Sequence, residues 1–311
     1  MNEFEQVPET YEADNEEFDA LYIMAWLMII QALMKLLRLP QATSTTQKLQ
    51  MERQVNTEVK AIFTNLERRA VSMATTKVTE AYYEGISYSR TAKAQESKLV
   101  EVKGSDLGDS HKQRLQKMID QTQDDLLKAT HNTNENIKKL VRQVVSKEIS
   151  GAGYGGKIGK QKHMADRIEK QLRKQFIENG IKGCDVAIID KANRRWKLKT
   201  YSSMVTRTKM NDAYISAIRE EALHDGSDLA IISTKPDTAD ECKNYEGMII
   251  SLNGLTAGYL TYEGIKKTKA CFHPNCGHFV RPVGGIDWIP QELKKIHDKQ
   301  MSKYRGEKIL N

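Results

Sequence analysis

The sequence predicts an α+β fold: a long N-terminal helical arm, then a compact C-terminal domain in which helices pack on a small, mainly antiparallel sheet. Three observations predict it. Apolar residues recur at three- and four-residue steps through much of residues 18–149, which is the period of a helix face. Gly151, Gly153, Gly155, Gly156 and Gly159 then break the pattern. Only beyond that break do short β-type runs occur, at 186–189 and 247–252.

Residues 1–40 read as an acidic leader and an apolar docking helix. The helix spans 18–39 and stops at Pro40. Its uncharged stretch, Ala20 to Met34, is 15 residues long, whereas a bilayer crossing takes roughly 20. No stable membrane span is therefore expected. The segment is apolar nearly all the way round, so it should be buried. A protein partner is the first choice of burial site, the core of its own domain the second, and membrane contact the third.

Residues 41–150 read as a helical arm of two antiparallel helices. The first carries Leu49, Val55, Val59, Ile62, Phe63, Leu66, Val71, Met73 and Val78; the second carries Leu115, Met118, Ile119, Leu126, Ile137, Leu140 and Val144. Gly104, Gly108 and Asp109 mark the turn between them, and the polar run Thr130-His131-Asn132-Thr133-Asn134 should bend or interrupt the second. A glycine-rich linker follows at 151–162, then a C-terminal domain at 163–290. That domain should hold a basic helix at 163–179 and a hairpin around Asp190 to Arg195. A helix over 200–224 and two strands, 228–233 and 247–252, complete it. A basic C-terminal tail, 291–311, closes the chain as a short helix.

Charge is distributed unevenly. The chain carries 48 basic and 41 acidic residues, a net +7, yet its first 19 residues hold eight acids and no Lys or Arg precedes Lys35. From Lys35 onward basic residues therefore exceed acidic ones by 15. Such a body can lie against nucleic acid, because neutralising phosphates releases counterions; ordinary solvated helix faces are the alternative. Apolar residues make up 39% of the chain, low for one compact globule, so helix faces should also pack on partners. The acidic N-terminus does not resemble a signal peptide. Four cysteines, Cys184, Cys242, Cys271 and Cys276, suit reduced thiols or a metal better than a disulfide framework.

Three kinds of chemistry can be weighed. Gly151-x4-Gly156-Lys157 imitates a phosphate-binding loop, and Val186-Ala187-Ile188-Ile189-Asp190 imitates the strand that ends in a magnesium-holding Asp. Ile158, however, stands where a Ser or Thr hydroxyl must meet the metal, and no buried strand precedes Gly151. Nucleotide binding is therefore set aside. Cys242, Cys271, His273, Cys276 and His278 can supply a zinc site, although their spacing is not that of a standard finger. Cys242 and Cys276 should approach closely, as zinc ligands or as a packed thiol pair. A cysteine nucleophile with His273 as base lacks a glycine-framed turn. A metal-dependent nuclease would use His273 and His278 with Asp237, Asp240 and Glu241.

The order of motifs from about Gly180 to Val283 carries a resemblance. Gly180-Ile181-Lys182-Gly183 is followed by Arg195-Trp196-Lys197-Leu198-x2-Tyr201-x2-Met204-Val205-x-Arg207-Thr208. Gly226-x-Asp228-Leu229, Tyr245-x-Gly247, Gly258-Tyr259 and Asn275-Cys276-Gly277-His278 come next. This order resembles phage minor capsid proteins of the type 2 family. The run from Asp240-x-Cys242 to His273-Pro274-x-Cys276 is also similar to Mu F-like head morphogenesis proteins. Two departures stand out: Thr234-Lys235-Pro236-Asp237 replaces a His-x-Gly-Ala-Arg run, and Gly277 replaces an Arg.

The resemblance implies a non-enzymatic minor capsid protein of a tailed-phage head, made in the host cytoplasm and held inside the virion near the portal. Its partners would be the portal protein, the major capsid protein and packaged double-stranded DNA. Its roles would be head assembly and genome ejection. No cofactor is implied, apart from the zinc weighed above. The alternative is a DNA-handling nuclease or toxin-like effector delivered with the genome. Trp196, Tyr201, Arg207, Asp240, Gly247 and Asn275 are read as structural residues. Arg207 is expected to clamp Asp240 or carbonyls of the Cys-His loop, since a buried guanidinium requires acceptors.

Overall fold

A computed structural model describes residues 12–37, 45–94, 102, 104, 107–151, 187–190, 192, 194–235, 241–274 and 276–304. Linker residues 152–162, the expected basic helix at 163–179 and the end of the tail lie outside them; Gly151, expected to open the linker, ends the helix Asp109–Gly151. Contacts group the described chain into two compact units: one gathers 75–120 and 204–304, the other 12–74 and 121–203. The architecture is α+β, with long helices first and a three-stranded antiparallel sheet near the C-terminus.

The second of these units contains α1 (Glu12–Leu37) and the first half of α2 (Thr45–Ala94). α1 buries Phe18, Leu21, Tyr22, Ala25, Ile29 and Ala32, one stripe at helical spacing. Met24, Leu27 and Met28 stay 54%, 48% and 47% exposed, so α1 covers one apolar face within the chain and leaves another open. No described helix is long and apolar enough to cross a membrane. Along α2 the buried stripe runs Val55, Val59, Ile62, Phe63, Leu66, Ala70 and Ala74. Val71 and Met73, expected on that stripe, are only half-buried; the small alanines allow closer packing and take the inward positions.

α3 (Asp109–Gly151) runs unbroken through 130–134, where a bend or interruption was expected. The polar side chains there have work that keeps the helix intact. Thr130 and Thr133 donate their hydroxyls to the carbonyls of Leu126 and Ala129, at 2.8 and 2.7 Å. Thr133 Oγ1 also accepts from the Ile189 amide at 3.0 Å, and Asn132 Nδ2 donates to the Asp190 carbonyl at 2.8 Å. The run is a dock for the hairpin of β1 (Ala187–Ile189) and β2 (Arg195–Lys197), paired antiparallel from Ala187↔Lys197 to Ile189↔Arg195. Asp190 closes that hairpin. Its carboxylate accepts from the Ala192 and Arg194 amides, from Arg194 Nε and from Trp196 Nε1 at 2.7–2.9 Å. Burial alone would raise its pKa, but these four donors outweigh it and hold the carboxyl below its ordinary value.

The other unit is built on the order β4-β3-β5, with β3 (Leu229–Ile232) central, β4 (Ile249–Ser251) on one side and β5 (Val280–Pro282) on the other. All four β3 residues are buried, which requires cover on both faces. Ala230 and Ile232 join the main core with Tyr214, Ile218, Met248 and Ile250. Leu229 and Ile231 pack with Ile249 and Ile289 on the opposite face. β5 is a strand that the sequence reading did not separate out; it is short and holds Pro282, which an edge strand tolerates.

Helix α4 (Leu198–His224) supplies the main cover. A Cβ on Gly85 would clash with the Tyr214 carbonyl oxygen, so α2 can approach α4 there only through a glycine. Tyr88, Tyr214 and Phe279 extend that contact with ring centroids 5.8–6.2 Å apart. Helices α5 (Tyr262–Thr268) and α6 (Gln291–Tyr304) complete the unit. The Ile249 amide donates to Nδ1 of buried His297 on α6, at 3.2 Å.

Candidate metal centre

Three separate segments bring rare side chains together beside the sheet. Cys242 sits on a single 3-10 turn, Glu241–Asn244, that follows the β3 connection. Cys271 follows α5, whose end is set by Lys269 in the left-handed conformation (φ 61°). Phe272 is also left-handed (φ 56°), which turns the chain back toward the core where its ring meets Tyr262 at 4.8 Å. The Cys276 amide donates to the His273 carbonyl at 2.9 Å, closing the turn that presents Cys276 and His278 before β5.

The three sulfurs and one His278 ring nitrogen all lie within 4.8 Å of one another, and all four residues are buried. Cys242 and Cys276 Sγ are 3.7 Å apart, the close approach expected from the sequence. Cys276 Sγ is 3.3 Å from His278 Nδ1. The far nitrogen, Nε2, donates to Glu246 Oε1 at 2.9 Å, and Glu246 also accepts from the Lys235 amide at 3.1 Å. Asn211 on α4 donates to the carbonyls of Cys276 and His278, at 3.3 and 2.8 Å. Cys242, Cys271 and Cys276 are not joined in disulfides.

The Cys271 thiol and His278 donate to Cys276 and outweigh its burial, which pushes the Cys276 pKa down, while the proton shared with Cys276 pushes Cys271 up. Burial disfavours a charged His278, but Cys276 and Glu246 outweigh that and raise its pKa. The site is closed to substrates: Cys242 and Cys271 have no exposed surface, and Cys276 has 4%. Buried sulfurs of this kind can hold a thiophilic metal, but an incoming electrophile would not reach them.

Of the five residues proposed as ligands, four form the group and His273 stands at its edge. Its Nε2 lies 3.2 Å from Cys242 Sγ, while Nδ1 donates to the Pro274 carbonyl at 2.9 Å. Gly247 takes φ 72° and donates its amide to Ile232 at 2.9 Å; a Cβ would press on Ile296 at 3.2 Å. Trp196 anchors Asp190, and Tyr201 is buried, which pushes its phenol well up. Arg207 is half-buried on α4. One turn further along the same helix, Asn211 donates to two carbonyls of the Cys-His loop. Asp240, Asn275, Asp237 and Cys184 lie outside the described residues, as does the glycine-rich loop with Lys157. Asn211 and Glu246 escaped the sequence reading. Their only signal was position, one helical turn from Arg207 and one residue before Gly247.

Fold and site together define a helical chain ending in a small sheet domain knotted by cysteine and histidine. The sequence model of the family described as phage minor capsid protein 2 matches residues 12–308, nearly the whole chain. The chain belongs to that family and is a structural protein of the phage virion. No curated protein and no solved structure matches it.

Proposed function

We propose that this chain is a non-enzymatic minor capsid protein held inside the head near the portal, where it touches portal, shell and packaged DNA and takes part in head assembly and genome ejection. The observation that carries this reading is the family match, which runs from the start of α1 to the last residues of the tail. Two features agree with it. Basic residues exceed acidic ones by 15 after the leader, enough for several phosphate contacts without base reading. The exposed Met24, Leu27 and Met28 face of α1 suits docking into a portal or sister subunit.

A DNA contact of this type must be sensitive to salt, because each neutralised phosphate releases a counterion. The purified chain should bind duplexes of unrelated sequence equally. Affinity should fall by roughly 10³-fold or more between 50 and 200 mM salt if about six phosphates are engaged. Strong preference for one duplex, or affinity indifferent to salt, would remove DNA from the list of partners. Adding divalent metal should leave plasmid DNA uncut. Cleavage that vanished in His273→Ala and His278→Ala would replace the structural reading with a nuclease.

A further inference from the structure

We propose that Cys242, Cys271, Cys276 and His278 hold one zinc ion, which staples the sheet-bearing unit as a structural site. A tetrahedral zinc with sulfur arms of about 2.3 Å has sulfur–sulfur edges of about 3.8 Å, and its sulfur–nitrogen edges are about 3.6 Å. The chain provides a 3.7 Å sulfur–sulfur edge between Cys242 and Cys276. Its sulfur–nitrogen edge between Cys276 and His278 Nδ1 is 3.3 Å. No pair among the four ligand atoms is more than 4.8 Å apart, so small rotamer changes close the remaining edges.

A second, independent feature is the environment of His278. A ligand imidazole usually donates its other nitrogen to a carboxylate, which fixes tautomer and ring orientation. Nε2 of His278 does so toward Glu246 at 2.9 Å, leaving Nδ1 aimed at the sulfurs. Glu246 is itself held by the Lys235 amide, and Asn211 fixes the backbone on both sides of Gly277. Three thiolates with one imidazole in a tetrahedron select zinc over hard cations, which prefer oxygen ligands. With four protein ligands no coordination position stays open, so the ion is architectural.

Its value comes from what it joins. Cys242 lies in the β3–β4 connection, while Cys271, Cys276 and His278 lie between α5 and β5. The ion therefore ties the two edge strands' connections to one point, across the central strand. Glu246 acts on the metal only through His278 and is a positioning residue.

Elemental analysis of the full chain, purified from zinc-supplemented cells without chelator, tests the proposal. About one zinc per chain is expected. Cys242→Ser, Cys271→Ser, Cys276→Ser and His278→Ala should each lose it, while His273→Ala retains it. Because ligand variants can fail to fold, the wild-type chain supplies a second readout. Exchange of zinc for cobalt(II) should give the absorption of a tetrahedral ion with three thiolate ligands. Removing the metal should lower the melting temperature by about 10 °C or more. A folded wild-type chain that takes up neither zinc nor cobalt would overturn the site, as would a Cys242–Cys276 disulfide. Loss of zinc in His273→Ala with retention in His278→Ala would assign the fourth ligand differently and defeat the proposal as drawn.

Discussion

Glu221 is a buried carboxylate surrounded by donors: Arg90 reaches it through Nε and Nη2 at 2.8–3.2 Å, and His111 Nε2 lies 3.2 Å away. His111 in turn meets the Tyr82 hydroxyl at 3.0 Å through Nδ1. Burial would raise the Glu221 pKa, but the bonds from His111 and Arg90 more than offset it, and the carboxyl stays below its ordinary 4.5. A depressed acid contributes stability that is complete above its unfolded pKa and disappears as pH falls through the folded one. Stability measured by urea unfolding should therefore hold from neutral pH down to about 5, then fall as Glu221 takes up a proton. Glu221→Gln should be less stable at neutral pH and show a flatter acid limb; an unchanged limb would remove Glu221 from the account. Nothing at the residue level announced this group, since a Glu on a charged helix reads as solvated until its neighbours are known. The cysteines were legible for the opposite reason. They are rare, and Cys271 and Cys276 lie five residues apart with His273 and His278 beside them, so their convergence could be inferred although their distances could not.

At the scale of elements, the loop between β4 and α5 hangs on one side chain. Asp228 Oδ1 accepts from the Asn253 amide at 2.8 Å; Oδ2 accepts from the Leu255 and Thr256 amides at 3.0 and 2.9 Å and from the Ser251 hydroxyl. The Asp228 carbonyl accepts from Leu252 at 2.7 Å, so both ends of the residue bind the same loop. Asp228→Ala strips an acceptor from three amides and should cost about 2–4 kcal/mol in denaturant unfolding. Asp228→Asn, keeping one carbonyl oxygen, should cost less. Equal losses would mean that the loop does not depend on the acceptors. Long helices and the β3 and β4 strands were readable because periodicity and β-branched runs are local signals. The α3 continuity was not, because Thr130, Asn132 and Thr133 read as a break until the β1–β2 hairpin gives them partners. β5 was hidden by its three-residue length and Pro282. The α2 stripe drifts onto Ala70 and Ala74, residues too small to register in a search for large apolar side chains.

At the scale of the whole molecule, composition pointed to partners before structure did. The apolar fraction is modest, the leader is acidic and the rest is basic. α1 buries one stripe within the chain yet exposes Met24, Leu27 and Met28. The family match gives these features a setting, because a virion component must be held by its neighbours. A purely C-terminal reading would have missed that the match begins in α1, at residue 12. Substituting Met24, Leu27 and Met28 by Ser leaves the buried stripe of α1 untouched and so separates docking from folding. The most direct test is quantitative mass spectrometry of purified particles, intact and after DNA release, assembled with the wild-type chain or with this triple variant. Wild-type chains should be present in a small, fixed number per intact particle and be protected from added protease. The variant should fold yet fail to enter. Absence of the wild-type chain from particles would contradict an interior, docked position, as would full protease sensitivity on intact heads or incorporation of the variant at wild-type copy number.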